Sequence, residues 1–356
     1  MNNIFNFKKN IDKSKLEICA NCIKNGGIVI FPTETVYGIG ANALDDKAVS
    51  KIFIAKGRPS DNPLIVHICD FDMLKQCIDV SKISKLEEKL IKAFCPGPFT
   101  IILPRSKNIP DNVTAGLDTV GIRMPDNKTA NLLIKQSGVP IAAPSANISG
   151  KPSGTCIEDI AEELANRVDY VIDGGQTNIG IESSVVKVID DKVQILRPGK
   201  ISIEDIEKVV GQGNVILNSK IFERPDENEK VESPGMKHRH YAPKCKCILV
   251  NGENEIKQIE SVKKLITKNA DKYNKICVMG FSEHENKIRQ NNNIIYLSMG
   301  SINNYDEISK NIFLLLRKTD KINCDFCIIE AVKKQGIGIG IMNRLLRACE
   351  YNEINA

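Results

Sequence analysis

Lys56 and Arg58 flank a glycine in KGRPSDNPL, residues 56–64. Two cations beside ring-locked Pro59 place fixed positive charge on a stiffened turn, which suits an anionic ligand. A phosphate loop of the Gly-Lys-Ser/Thr type is absent, so the charges themselves would have to do that work. The competing reading is structural: Lys56 closes a helix, where a cation complements the dipole. Arg197-Pro198 in LRPG (196–199) repeats the Arg-Pro pairing. Arg123, inside the strand pattern GIRMP, suits a carboxylate ligand.

Hydroxyl-rich turns surround these cations. PTETVYGIGANA (32–43) leaves a strand and offers Thr33, Thr35 and Tyr37, with Gly38 and Gly40 allowing close backbone approach. PSAN (144–147) leaves another strand with Ser145 and Asn147, and ESSVV (182–186) contributes Ser183. A serine hydrolase with Ser145 as nucleophile and His67 as base would want a G-x-S-x-G elbow, and there is none. GIGIG (336–340) fails the dinucleotide pattern G-x-G-x-x-G, because Ile341 stands where glycine is needed, and it reads as a tight turn.

The elements that must carry these residues alternate between strand and helix. Strand patterns cover IVIFP (28–32), LIVHI (64–68), FTIILP (99–104), VGIRMP (120–125), VPIAA (139–143) and YVIDGG (170–175). Helical spacing covers 13–25, 45–56, 84–94, 126–137 and 202–210. Residues 183–199 read as a hairpin turning at Asp190-Asp191. Residues 213–246, with several prolines and the cluster His238-Arg239-His240-Tyr241, read as a linker. Beyond it, strands at 247–252, 275–281, 293–300 and 326–332 alternate with helices near 254–268, 303–318 and 340–350. That alternation predicts a small parallel sheet with helices on both faces. The expected organisation is therefore 1–212 as one α/β domain, 213–246 as linker, and 247–356 as a Rossmann-like α/β domain.

Bulk composition restricts the partners. The chain has 356 residues, long for one core. Its net charge of +5 permits an anionic ligand without demanding nucleic acid. Aromatic residues make up only 5%, with no Trp, which disfavours a base-stacking surface. Twelve cysteines are scattered; Cys19/Cys22 and Cys324/Cys327 match C-x-x-C without zinc-finger histidines and read as buried reduced thiols. A cytoplasmic location is expected, since no secretory signal or membrane-spanning run is visible.

Taken in order, PTETVYGIG, KGRPSDNPL, GIRMP, APSAN, ESSVV and LRPG resemble the YrdC-like family. The linker with HRHYAP and the C-terminal α/β part resemble its longer, two-domain form. The resemblance implies a twisted α/β domain curled around a concave basic cavity. It implies that L-threonine, bicarbonate and ATP are joined to give L-threonylcarbamoyladenylate and pyrophosphate. A separate transferase complex would then pass the threonylcarbamoyl group to tRNA, and direct tRNA contact is a further possibility of the same reading. By this resemblance Arg58, Asn62, Thr119, Ser145, Ser153, Arg197 and Tyr241 contact ATP, with Asn147 an additional candidate. Thr35, His67, Arg123, the backbone at Ala143, and Ser183 hold L-threonine. Lys56, Arg58 and Arg197 are expected to stabilise charge in the reaction, and Mg²⁺ to arrive on the ATP phosphates rather than in a protein cage. Residues 233–243 are expected to form a lid that excludes water. The alternative expectation is an RNA- or tRNA-binding module without adenylate synthesis.

Overall fold

A computed structural model describes residues 3–224, 240–289 and 294–356. Its described residues divide into two compact units. The first holds 3–149 and 153–221; the second holds 150–152, 222–224, 240–289 and 294–356.

The first unit contains β1 (Ile4–Asn6), β2 (Val29–Phe31), β3 (Gly38–Asn42), β4 (Ile65–His67), β5 (Phe99–Pro104) and β6 (Thr119–Arg123). It continues with β7 (Ile141–Ala142), β8 (Tyr170–Asp173), β9 (Ser184–Ile189), β10 (Lys192–Arg197) and β11 (Val215–Leu217). They form one mixed sheet in the order β1-β8-β2-β3-β7-β4-β6-β5-β9-β10-β11. The central strands are short and apolar, and β2 and β4 are buried along their whole length. That is the composition of strands covered on both faces. Helices Lys13–Lys24 and Lys128–Ser137 contribute Leu16, Cys19, Ile23, Leu133 and Ile134 to the same core.

Helix Asp46–Lys56 shows why KGRP begins where it does. Asp45 caps its start, accepting from the amides of Lys47 and Ala48. Gly57 ends it in the left-handed region at φ 59, and the amides of Gly57 and Arg58 return to the carbonyls of Ile54 and Phe53. A residue with a β-carbon is strained at that φ, so the glycine sets the exit direction of the loop.

Several sequence expectations change. GIGAN is strand β3, antiparallel to β2, so the loop proper is only residues 32–37. Gly40 packs its bare Cα against Ile141 and Phe31, where a β-carbon would lie 2.5 and 2.7 Å from their side chains. The expected linker begins too early: β11 pairs in parallel with β10 and extends the sheet. Strands β1 and β11 are three residues long and give no sequence period. Residues 225–239, which include His238, Arg239 and most of the expected lid, lie outside the described residues.

The second unit holds β12 (Lys246–Asn251), β13 (Ile276–Phe281), β14 (Ile294–Gly300), β15 (Phe326–Glu330) and β16 (Glu353–Asn355). The order is β14-β13-β15-β12-β16 and every pairing is parallel. GIGIG is not a turn as a whole. Gly336, at φ 51, is the turn, and residues 337–340 already belong to helix Ile337–Ala348. All twelve cysteines are free thiols. Among the described residues no helix is long and apolar enough to cross a membrane.

Candidate active site

The register of the first sheet lines up the residues with chemistry. His67 ends β4 and Arg123 ends β6, and the two are Cα partners across the parallel pair. Partners in register point to the same face. On the far side of β6, β5 pairs with β9 so that Thr100 stands opposite Val185. The Thr100 hydroxyl lies 2.8 Å from that of Ser183, the residue just before β9. Arg197, the last residue of β10, then binds Ser183. Its Nε and Nη2 donate to the Ser183 carbonyl at 3.2 and 3.0 Å, and Nη2 reaches the hydroxyl at 3.1 Å. His67, Arg123, Ser183 and Arg197 are thus delivered by the ends of neighbouring strands.

The loop at 32–37 joins this row to the other motifs. Thr33 donates its hydroxyl to the Val36 carbonyl at 2.6 Å and lies 2.9 Å from the Thr35 hydroxyl. The Glu34 and Thr35 carbonyls accept from the amides of Ile179 and Gly180, which fastens the loop to the approach of ESSVV. Glu34, absent from the sequence-derived site, forms an ion pair with Arg123: Nη2 to Oε1 is 2.7 Å, with both side chains buried. Tyr37 does not present its hydroxyl to a ligand. It donates to the Gly175 carbonyl at 2.6 Å and accepts from the Gly174 amide.

Across the loop, Gly38 bridges to Ser145 of PSAN. Lys56 reaches the same motif. Its Nζ donates to the carbonyls of Ser145 and Asn147, both at 2.6 Å, and Ser145 donates to the Asn147 side-chain oxygen at 2.6 Å. The Lys56 ammonium is buried and held by these loop oxygens, so it shapes PSAN as well as carrying a fixed positive charge. Arg58 closes its own loop instead, donating from Nη2 to the carbonyls of Asn62 and Pro63, each at 3.2 Å. Asn62 is 1% exposed, beneath that guanidinium.

His67 is neutral near pH 7. Burial pushes it down to about 3, and the Arg123 charge adds to the effect. Its Nδ1 lies 3.2 Å from the Ile65 carbonyl. A neutral, fixed imidazole fits substrate contact better than proton storage. Ala143 spends its amide on the Ile65 carbonyl, and its small side chain packs beside Gly38. Ser153 is 1% exposed and donates to Glu182 at 2.6 Å.

Thr119 begins β6 whereas Arg123 ends it, a separation of about 13 Å at the usual rise per residue. Tyr241 belongs to the second unit, where it is buried at φ 63 with its ring 5.0 Å from that of Phe313.

Residues 21–199 match the Sua5/YciO/YrdC family model, described as telomere recombination. Residues 201–349 match the model of the threonylcarbamoyl-AMP synthase C-terminal domain. A threonylcarbamoyl-AMP synthase of Pyrococcus abyssi is 41% identical over 351 residues, covering 99% of this chain and 98% of that protein. The chain belongs to the threonylcarbamoyl-AMP synthase family. Another family member, from Bacillus subtilis, is 42% identical over 330 residues, covering 92% of this chain and 91% of its own. The crystal structure of Pyrococcus abyssi Sua5 complexed with L-threonine superposes with a TM-score of 0.90 at 40% identity, over 99% of both chains.

Within this family frame, sequence reasoning missed three side chains of the cluster. Glu34, Thr100 and Glu182 each touch a residue it had named. Glu34 and Glu182 sit inside quoted motifs, so an acid next to two hydroxyl residues was the available signal. Thr100 had none, because only the register of β5 places it beside Ser183.

Proposed function

We propose that this chain is an L-threonylcarbamoyladenylate synthase, making threonylcarbamoyl-AMP and pyrophosphate from L-threonine, bicarbonate and ATP. The observation that carries the reading is the convergence of separate motifs on the 32–37 loop. Arg123 pairs with it, Ser145 bridges to its end, and the approach to Ser183 and Arg197 is bonded to its carbonyls.

The chemistry divides along the cluster. L-Threonine sits at Thr35, His67, Arg123, Ala143 and Ser183. ATP lies along Arg58, Asn62, Thr119, Ser145, Asn147, Ser153 and Arg197. The ammonium group gives up a proton, and the free amine combines with bicarbonate, losing water, to give a carbamate. A carbamate oxygen attacks the α-phosphorus, and the bond to the pyrophosphate oxygen breaks. Positioning and fixed positive charge supply the rate, as in other phosphorus-centred displacements. Magnesium enters with ATP as its counter-ion, because it dehydrates reluctantly and favours phosphate oxygens.

The product then serves a separate transferase that modifies tRNA. The twelve free thiols suit a reducing cytoplasm.

Pyrophosphate release from the full chain with Mg-ATP tests the reading. Release that needs both L-threonine and bicarbonate supports it. Salt-dependent tRNA binding with no such release replaces it with an RNA-binding module.

A further inference from the structure

We infer that Glu34 is the partner of the substrate's α-ammonium group, so that the buried Arg123–Glu34 pair is a template for a zwitterionic α-amino acid. This rests on the proposed threonine site and assigns it a residue beyond Thr35, His67, Arg123, Ala143 and Ser183.

The argument starts from incomplete satisfaction. Glu34 is 6% exposed. Arg123 Nη2 stands 2.7 Å from its Oε1, yet neither carboxylate oxygen receives an aligned hydrogen bond from any described residue. An ionised carboxylate has about four acceptor sites, and burying them empty is costly. The adjacent Thr33 hydroxyl is engaged elsewhere, donating to the Val36 carbonyl. His67 brings no positive charge at neutral pH. The loop backbone is fixed by Ile179 and Gly180, so Glu34 cannot swing to solvent cheaply.

Charge balance then selects the ligand. If a carboxylate takes the Arg123 guanidinium, Glu34 loses its one ion-pair partner among the described residues. A ligand that is solely anionic would leave a buried, unpaired carboxylate. An α-amino acid brings an ammonium with three donors on the carbon next to its carboxylate, and so restores neutrality on both sides. Arg123 and Glu34, 2.7 Å apart, have the short spacing that such a ligand requires.

The experiment is calorimetric binding of L-threonine and of 3-hydroxybutyrate, its analogue without the amine, to the full chain with a non-hydrolysable ATP analogue. The wild type should bind L-threonine at least 100-fold more tightly. Glu34→Gln should weaken L-threonine about 30-fold or more and leave 3-hydroxybutyrate within about threefold. Equal loss for both ligands would make Glu34 merely an orienting partner of Arg123 and overturn the inference. So would comparable wild-type affinity for the two ligands, a result that needs no variant to fold. Failure of the wild type to bind L-threonine at all would instead bring down the proposed function, and this inference with it.

Discussion

Lys56 Nζ donates to the Asn147 backbone carbonyl at 2.6 Å, linking the end of a helix to a turn 91 residues later. The same ammonium holds the Ser145 carbonyl. A flexible chain carrying a point charge can be wrapped by carbonyls in this way, whereas a planar guanidinium cannot replace it in the same space.

Replacing Lys56 by Met should therefore damage the turn as well as the charge. Two carbonyls lose a charged donor, and each such bond is worth about 1.5–3 kcal/mol. The melting temperature should fall by several degrees and the KM for ATP should rise. Lys56→Arg should rescue neither. A Met variant with unchanged stability and raised KM alone would show that Lys56 acts on the nucleotide rather than on PSAN.

Gly199 closes LRPG for a steric reason. A β-carbon there would lie 2.5 Å from the Ser184 amide nitrogen and 2.6 Å from the Glu182 carbonyl. Both atoms are backbone, so the obstacle cannot rotate away. Gly199→Ala should displace 182–184 and with it the contact between Ser183 and Arg197. A loss of about 100-fold in kcat/KM for L-threonine is expected, the usual cost of misplacing a site by about an ångström. A folded Ala variant with unchanged kcat/KM would exclude that coupling.

The three-point grip of Arg197 on Ser183 predicts a difference between Arg and Lys at this position. Lysine keeps the charge but cannot supply Nε and Nη2 together. Arg197→Lys should lower kcat/KM about 10- to 100-fold, and the loss should appear in the L-threonine dependence as well as in that of ATP. An effect confined to ATP would mean that Arg197 serves only as a phosphate cation.

Much of this site could be read from the order of the motifs, because each quoted stretch lies at a boundary of a strand or helix and carries its own reactive side chain. Arg123, Ser183 and Arg197 were visible in that way. The pairing of Arg123 with Glu34 was not, since a sequence records that both are charged but not that antiparallel and parallel pairings bring their segments together. Lys56 was legible as a cation, but its hold on PSAN was not, because its acceptors are backbone carbonyls, which every residue possesses. Strand β3 escaped notice for a different reason: GIGAN contains two glycines, which argue for a loop until Ile141 and Phe31 are seen to need the space.

His67 makes the first unit sensitive to acid. In the unfolded chain it takes up a proton near pH 6.5, but in the folded protein burial and Arg123 delay that step to about pH 3. Between those values the unfolded state binds the extra proton, so stability is complete above about pH 6.5 and is lost as the pH falls towards 3. The slope approaches about 1.4 kcal/mol per pH unit. His67→Asn removes the titrating group and should flatten this part of the profile. Urea unfolding of both proteins at pH 7 and pH 5 measures it: the wild type should lose about 2 kcal/mol more than the variant between the two. Parallel losses in both proteins would show that other groups carry the acid sensitivity and that His67 is protonated in the folded state well above pH 3.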